Sequence, residues 1–560
     1  MGRKIAVDFG TTNTVVAEWI EGLDQPQTLR LDGLTAPPLE GSPPLIPSLL
    51  YVQDGKNGQA LAGWSVRAGG YDVRGDKRFF ASFKRGVAAR HRPFARDLDG
   101  EPWDEARAGH RFLQAVLEAT AAAGRRAEGM DAEAEGEDGL PVEELVLTVP
   151  IQAFERYLAW LTDAALSLPA RRLRIVDEPT AAALGYEVRE PDALVLVFDF
   201  GGGTLDIALV RTPALGEGGP GLVYDVQSGQ ARRRASALSQ PDSSRWAVVV
   251  AKAGQMLGGD DIDHWLIDDL YARHGVTRES AAGVYPQLRR EAEALKIRLS
   301  SYPHATLAVF DADAMRTYHA AYTRAELEDL LDARGFFDKI QATIDKVLRA
   351  ARQHGIHKED IAHVLMVGGT SLMPAVRRLV RMNFGDAQIH QDRPFTAVAH
   401  GALSLAVGVK LDDFLYHSYG LRHLSPVSSR HEYYEIIPAG TRYPIEKPIE
   451  VTLCASRNGQ EAIEMVIGEV EEGGTDLAEV YFGEHQIVLV ENGSALRRVI
   501  PLNDREGART IARLDPPGKA GRDRIRVEFT VDSNRALRVT VRDLSTRRLL
   551  LDNEKVVSLR

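Results

Sequence analysis

The chain has 560 residues, 44% of them hydrophobic and 26% charged, with a net charge of −11 and a single cysteine. Length and apolar share fit several packed domains and exclude disorder, collagen-like repeats and coiled coil, while the acidic balance argues against nucleic acid or an anionic membrane as a partner. No apolar run approaches the roughly 18 residues of a membrane span, Asp8 falls where a signal peptide needs its apolar core, and Cys454 allows no disulfide and reads as a small buried hydrophobe; a cytoplasmic location is expected.

In chain order, the first element is KIAVDFGTTNTVVAEW (Lys4 to Trp19): an apolar strand, Asp-Phe-Gly, a hydroxyl-rich turn and a second apolar strand. Residues 121–140 are small and acidic and read as an exposed loop. The opening pattern returns in LVFDFGGGTLDIALV (Leu196 to Val210), about 190 residues later, which suggests a duplicated domain with one ligand between its halves. Residues 211–245, which include Arg232, Arg233 and Arg234, read as a second exposed insertion. Pro286 to Tyr302 predicts an amphipathic helix with Leu288, Ala292, Leu295 and Leu299 on one face and Glu293, Lys296 and Ser300 on another. His363 to Val380 (HVLMVGGTSLMPAVRRLV) reads as a buried strand, a Gly368-Gly369 turn and a helix with Leu372, Val376, Leu379 and Val380 at helical spacing. After about residue 408 the texture changes to strands. Ile525, Val527, Phe529 and Val531 alternate with polar residues, Asp532-Ser533-Asn534 turns the chain, and Leu537, Val539 and Val541 alternate again. Similar runs near Ile436, Val451, Ile463 and Ile487 make this region an antiparallel β domain.

Glycine turns let backbone N–H groups close on an anion, and flanking carboxylates suit an anion that arrives with a metal. Asp199 and Asp206 flank Gly201 to Gly203, and Asp8 precedes the first turn. No GxxxxGK-Ser/Thr string occurs, Asp206 stands where a dinucleotide loop needs its third glycine, and no His-Arg-Asp loop accompanies the Asp-Phe-Gly triplets. What remains is a phosphate clamp made of two hairpins. Asp8 and Asp199 each follow an apolar run directly, a position that calls for a cation nearby.

These motifs resemble those of the actin-like ATPases, and within them the DnaK-type seventy-kilodalton heat-shock chaperone family. The resemblance rests on VDFGTTNT (Val7 to Thr14), VDEPTAAALGY (Val176 to Tyr186), VFDFGGGTLDIAL (Val197 to Leu209), LGGDDID (Leu257 to Asp263), VGGTSLMP (Val367 to Pro374) and AVAHGAL (Ala397 to Leu403). It continues more weakly through IPAGTRYPI and VEFTVDSNRALRVTVRDLST. It implies an α/β actin-like ATPase domain of two duplicated, ribonuclease-H-like lobes over residues 1–408, a linker at 409–420, and an all-β sandwich substrate-binding domain at 421–560. With Arg560 about one strand past the last hairpin, no helical lid is expected.

The resemblance also implies an ATPase that uses ATP with Mg2+, and K+ as an accompanying ion, to control polypeptide binding. Asp8, Glu178, Asp199 and Asp206 would surround the metal, mostly through its waters. Gly10, Thr11 and Thr12 with Gly201, Gly202, Gly203 and Thr204 would hold the β- and γ-phosphates. Lys84, in FASFKRGV, would stand beside the γ-phosphate and the attacking water, with Glu178, Asp199 and Thr204 sharing the catalytic site. Gly258, Glu293, Lys296, Ser300, Gly368, Gly369 and Thr370 would complete the nucleotide contacts. Three departures cluster on the nucleoside side: Ile297 and Leu372 replace arginines, and Phe395 replaces an aspartate. Expected partners are unfolded polypeptide or a dedicated client, a J-domain co-chaperone and a nucleotide exchange factor, with no nucleic acid and no membrane. The linker KLDDFLYHSYGL (Lys410 to Leu421) and the offset of Arg156 depart from the family pattern. The alternatives are a nucleotide-sensing adaptor with little turnover and a sugar kinase of the same duplicated fold, which the β sandwich opposes.

Overall fold

A computed structural model describes residues 2–38, 42–88, 94–127, 142–151, 155–186, 190, 192–212, 222–224, 231–233, 246–385, 389–425, 431–471, 480–483, 486–489, 498–504 and 510–559. The chain divides into two compact units, one of Met1–Ala153 and Trp160–Leu411, the other of Phe154–Ala159 and Asp412–Arg560. The division at Leu411 falls within the segment expected as a linker.

The first unit holds one strand arrangement twice. In lobe I, β1 (Arg3–Asp8), β2 (Asn13–Ile20) and β3 (Gln25–Thr28) form an antiparallel meander, and β4 (Val142–Val149) and β5 (Ala170–Asp177) run parallel to β1 on its other side, in the order β5-β4-β1-β2-β3. In lobe II, β6 (Leu194–Phe200), β7 (Leu205–Arg211) and β8 (Trp246–Gln255) form the meander, and β9 (Ile361–Val367) and β10 (Ile389–His390) add in parallel, in the order β10-β9-β6-β7-β8. The echo seen in the sequence is therefore a repeat of topology. Every residue of β6, LVLVFDF, is buried, as a strand covered on both faces requires.

Helices carry the chain between the lobes. α1 (Trp64–Ala68) and α2 (Phe83–Ala88) belong to lobe I. α3 (Glu178–Gly185) leaves β5 and packs on β6 and β7, whereas α7 (Ala397–Ala406) follows β10 and packs on β1, β4 and β2. Between them in sequence lie α4 (Gly259–His274), α5 (Tyr285–Ser301) and α6 (Pro374–Phe384). α5 buries Leu288, Ala292, Leu295 and Leu299, as its periodicity predicts. The third glycine turn differs from its prediction: α6 begins at Pro374, so Leu372 lies in a preceding 3-10 turn and stays 38% exposed rather than joining the buried Val376 and Val380.

The second unit is a β sandwich. One four-stranded sheet has the order His431–Ile437, Ser418–Leu424, Ile467–Glu471, Arg498–Pro501; the other has Ile445–Cys454, Asp523–Val531, Ala536–Asp543, Leu549–Ser558. Tyr419, Leu421, Ile437 and Ile467 from the first sheet share a core with Val527, Phe529, Val539 and Val541 from the second. The predicted hairpin forms, with Val531 paired to Leu537. Cys454 is exposed, not buried, because it ends its strand on the polar side of the alternation. Within residues 211–245, Leu222–Tyr224 pairs antiparallel with Ala231–Arg233 where a loop is expected; Arg234 and residues 128–140 of the acidic segment lie outside the described residues. No helix among the described residues is long and apolar enough to cross a membrane.

Candidate functional site

Four carboxylates converge where the central strands of the two lobes end. Asp8 closes β1, Asp199 and Asp206 face each other across the β6–β7 pair, and Glu178 opens α3 directly after β5. Strand ends of this kind leave the backbone of the following turn open to a ligand. The Thr148 hydroxyl donates to Asp8 Oδ1 over 2.9 Å and the Ile151 N–H to Asp206 Oδ1 over 3.0 Å. Lys84, on α2, places its ammonium 2.5 Å from Glu178 Oε1, both side chains being buried. Phe9 and Phe83 stack beside it with centroids 5.9 Å apart.

Burial, then the charge of Glu178, pushes Asp8 up to about 7 from the ordinary 3.8, against the pull of Lys84 and Thr148. Burial and Glu178 likewise push Asp206 up to about 7, with the Thr204 hydroxyl and the Ile151 N–H opposing. Asp199 is raised well above the ordinary value by burial and by the charges of Glu178, Asp8 and Asp206. Asp206 Oδ2 is buried with no hydrogen-bond partner among the described residues. One ammonium against four such carboxylates leaves a site short of positive charge, and an all-oxygen donor set suits a hard divalent cation such as Mg2+. Among the described residues no three candidate ligands close on one point at direct coordination spacing. Were such an ion held here, these residues would reach it through its waters.

The two glycine hairpins abut above these acids. Gly201 N–H donates to Thr204 O at 3.0 Å to close the second hairpin, and a Cβ on Gly202 would land on the Thr12 hydroxyl of the first. A Cβ on Gly203 would come within 2.5 Å of the Thr11 hydroxyl, so a side chain at either position would have to displace a threonine of the facing hairpin. Ser48 pins the first hairpin from outside, donating its hydroxyl to Gly10 O and its N–H to Thr12 O, each over 2.8 Å. Lobe II grips the second: Gly259 and Asp260 N–H groups donate to Gly201 O and Gly202 O at 3.1 and 2.9 Å, and Thr370 Oγ1 donates to Gly201 O at 2.8 Å. Gly258 packs on the Gly202 carbonyl, Gly368 on that of Phe200, and Gly369 on the Phe395 ring.

The residues expected on the nucleoside side are placed differently. Glu293 is taken by Arg67 of α1 at 3.2 Å, Lys296 lies 2.8 Å from Asp263 and 2.9 Å from Gly259 O, and Ser300 Oγ donates back to Lys296 O at 3.0 Å. Burial alone would lower the Lys296 ammonium, but Asp263 and Glu293 more than offset it and hold the group charged. Ile297 is 59% exposed and Leu372 is also exposed, while Phe395 is half-buried. The structure thus gathers Asp8, Lys84, Glu178, Asp199, Asp206 and the two hairpins into one cluster, and places Glu293, Lys296 and Ser300 along one helix with internal partners.

The family model for Hsp70 protein matches residues 77–232 and 235–461. The chain belongs to the Hsp70 family. This Hsp70 is an ATP-dependent chaperone of that type and an ATPase, and the family carries an actin-like ATPase domain followed by a β substrate-binding domain. Curated proteins similar to it include the chaperone protein HscA of Salmonella paratyphi C (strain RKS4594) and of Salmonella heidelberg (strain SL476). Each is 28% identical over 570 aligned positions that cover 97% of this chain and 77% of the relative.

Several residues of this Hsp70 escape a reading by motif. Thr148 and Ile151 orient two of the acids, and Arg85 reaches Asp261 across the cleft at 3.0 Å. Arg289 bonds Ser82 Oγ at 2.6 Å, and Ser82 in turn bonds Asp260. Lys252 pairs with Asp177 at 2.7 Å. A sequence signal existed for the last: Lys252 is the lone charge in the run WAVVVAKAGQ.

Proposed function

We propose that residues 1–408 bind Mg-ATP between the two hairpins and hydrolyse it slowly, and that the nucleotide state sets how residues 421–560 hold polypeptide through the segment 409–420. In this reading Asp8, Glu178, Asp199 and Asp206 hold hydrated Mg2+, with K+ as an accompanying ion, and the metal supplies charge neutralisation for the transferred phosphoryl group. Gly10 to Thr12 and Gly201 to Thr204 hold the phosphates, Gly258 and Gly368 to Thr370 support them, and Glu293, Lys296 and Ser300 meet the nucleoside. Lys84 keeps a positive charge at the γ-phosphate and the attacking water, and Glu178 fixes its ammonium.

The single observation that carries this reading is the abutting of two glycine hairpins over four carboxylates that share one ammonium. Its client is an extended polypeptide or one dedicated protein, with a J-domain co-chaperone and an exchange factor, in the cytoplasm. The curated relatives named chaperone protein HscA support the chaperone part. Single-turnover ATP hydrolysis, with and without unfolded polypeptide, tests it: polypeptide should speed the reaction, and Lys84→Ala and Asp199→Ala should slow it at least about a hundredfold. ATP bound but not turned over above the variants would instead favour a nucleotide-sensing adaptor. The apolar Ile297, Leu372 and Phe395 favour that second reading, since they offer packing to a base but no charged partner.

A further inference from the structure

One buried ion pair plays no part in the site as described. Lys252 sits in the interior of β8, in lobe II, opposite Ala208 of β7; Asp177 ends β5, in lobe I, opposite Val149 of β4. Their side chains are 1% and 3% exposed, and Lys252 Nζ lies 2.7 Å from Asp177 Oδ2. An apolar strand gains nothing from a buried lysine by packing alone, since a neutral pair of the same shape would fill the space without desolvating two charges. A pair of this kind earns retention when it fixes registry between the elements that it joins.

Asp177 is also the residue before α3, where an aspartate ordinarily accepts from the first turn of the helix. Here its carboxylate makes no such cap bond, and it is turned to Lys252 instead. The next residue is Glu178, whose carboxylate holds Lys84 at 2.5 Å. One peptide unit therefore separates a contact made by lobe II from the contact that orients the only ammonium described in the acid cluster. Ile151 N–H to Asp206 makes the reciprocal bridge from lobe I to lobe II at the same level.

We propose that Lys252 is a positioning residue: by holding Asp177 from the opposite lobe, it sets where Glu178, and through it Lys84, stands relative to Asp199 and Asp206. A shift of lobe II against lobe I then reaches Lys84 directly. This inference rests on the site reading given above, because it assigns Lys84 and Glu178 their roles in hydrolysis.

The test is single-turnover hydrolysis and Mg-ATP affinity of the full chain carrying Lys252→Met, Lys252→Arg or Asp177→Asn. Lys252→Met should slow hydrolysis about tenfold while affinity stays within about threefold, since a displacement of about an ångström costs rate before it costs binding. Lys252→Arg should recover most of the loss. Asp177→Asn keeps the side-chain shape, so it decides the matter if Lys252→Met does not fold, and it should slow hydrolysis in the same way. Rates within twofold of wild type, or rate and affinity falling together, would overturn the proposal. Hydrogen exchange of the α3 amides separates its failure from that of the site reading. If wild type binds ATP without turnover, the site reading fails; the positioning role then survives only if ATP slows exchange in wild-type α3 and not in Lys252→Met.

Discussion

The two ends of the proposed nucleotide cleft are built on opposite principles. At the phosphate end, buried carboxylates outnumber the single lysine among them, Asp206 Oδ2 has no described partner, and two glycine turns nearly touch. At the nucleoside end, Glu293 and Lys296 already have partners in Arg67 and Asp263, and the side chains left exposed are Ile297 and Leu372. The first arrangement carries unbalanced negative charge; in the second, Glu293 and Lys296 have partners of opposite charge. In the proposed reading, the chemistry that a ligand must bring is specified at the phosphates, and the base would meet a surface whose charged groups are already paired.

Removing charge from the phosphate end should have the largest effect. Asp199→Ala should lower single-turnover hydrolysis about a thousandfold and Lys84→Ala about a hundredfold, the range seen when a preorganised charge is taken from a transition state. Hydrolysis at wild-type rate in either variant would mean that the acid cluster is structural only. Next in size is steric. Gly202→Val drives a side chain into Thr12 and should weaken ATP binding at least about tenfold, whereas Gly22→Val, at an exposed turn with nothing near it, should leave binding unchanged.

The acids of the phosphate end should also respond to pH. Asp8 and Asp206 stand at about 7 in the folded chain against an ordinary 3.8, so between those values the folded protein binds more protons than the unfolded chain. Their protonated forms contribute stability that is fully present below pH 3.8 and is lost as pH rises through about 7. Urea unfolding of metal-free protein should show a falling midpoint from pH 5 to pH 8, and Mg2+ should reverse much of the fall. A midpoint that rises over this range would mean that the acids are already compensated. The smallest effect belongs to the nucleoside end: Arg67→Ala breaks a partly exposed pair and should change ATP affinity by no more than about threefold.

The phosphate end was legible because its residues obey local rules. A carboxylate directly after an apolar strand and a glycine run between two strands are visible in a dozen residues, and the repeat of that pattern announced the duplicated topology. The alternation from Ile525 to Val541 announced its hairpin in the same way. What stayed hidden depends on residues distant in sequence. Arg67 and Glu293 are separated by 226 positions and Asp177 and Lys252 by 75, and no local pattern says that they meet. Leu372 misled because its spacing fits a helix that Pro374 delays, and Cys454 because residue type predicts average burial while strand parity decides the individual case.

One contact of the first unit bears on how the lobes move. α3 rises from lobe I to pack on lobe II, α7 does the reverse, and the two helices cross with main chain against main chain. A methyl on Gly185 would strike the Ala397 carbonyl, and one on Gly401 the Ala181 carbonyl. Gliding of one helix along the other would bring neighbouring alanine methyls into those same carbonyls, whereas turning about the crossing leaves the glycines in place. The crossing therefore opposes sliding of one helix along the other more than it opposes rotation, and any change in the width of the cleft would have to pass as an angle through two glycines.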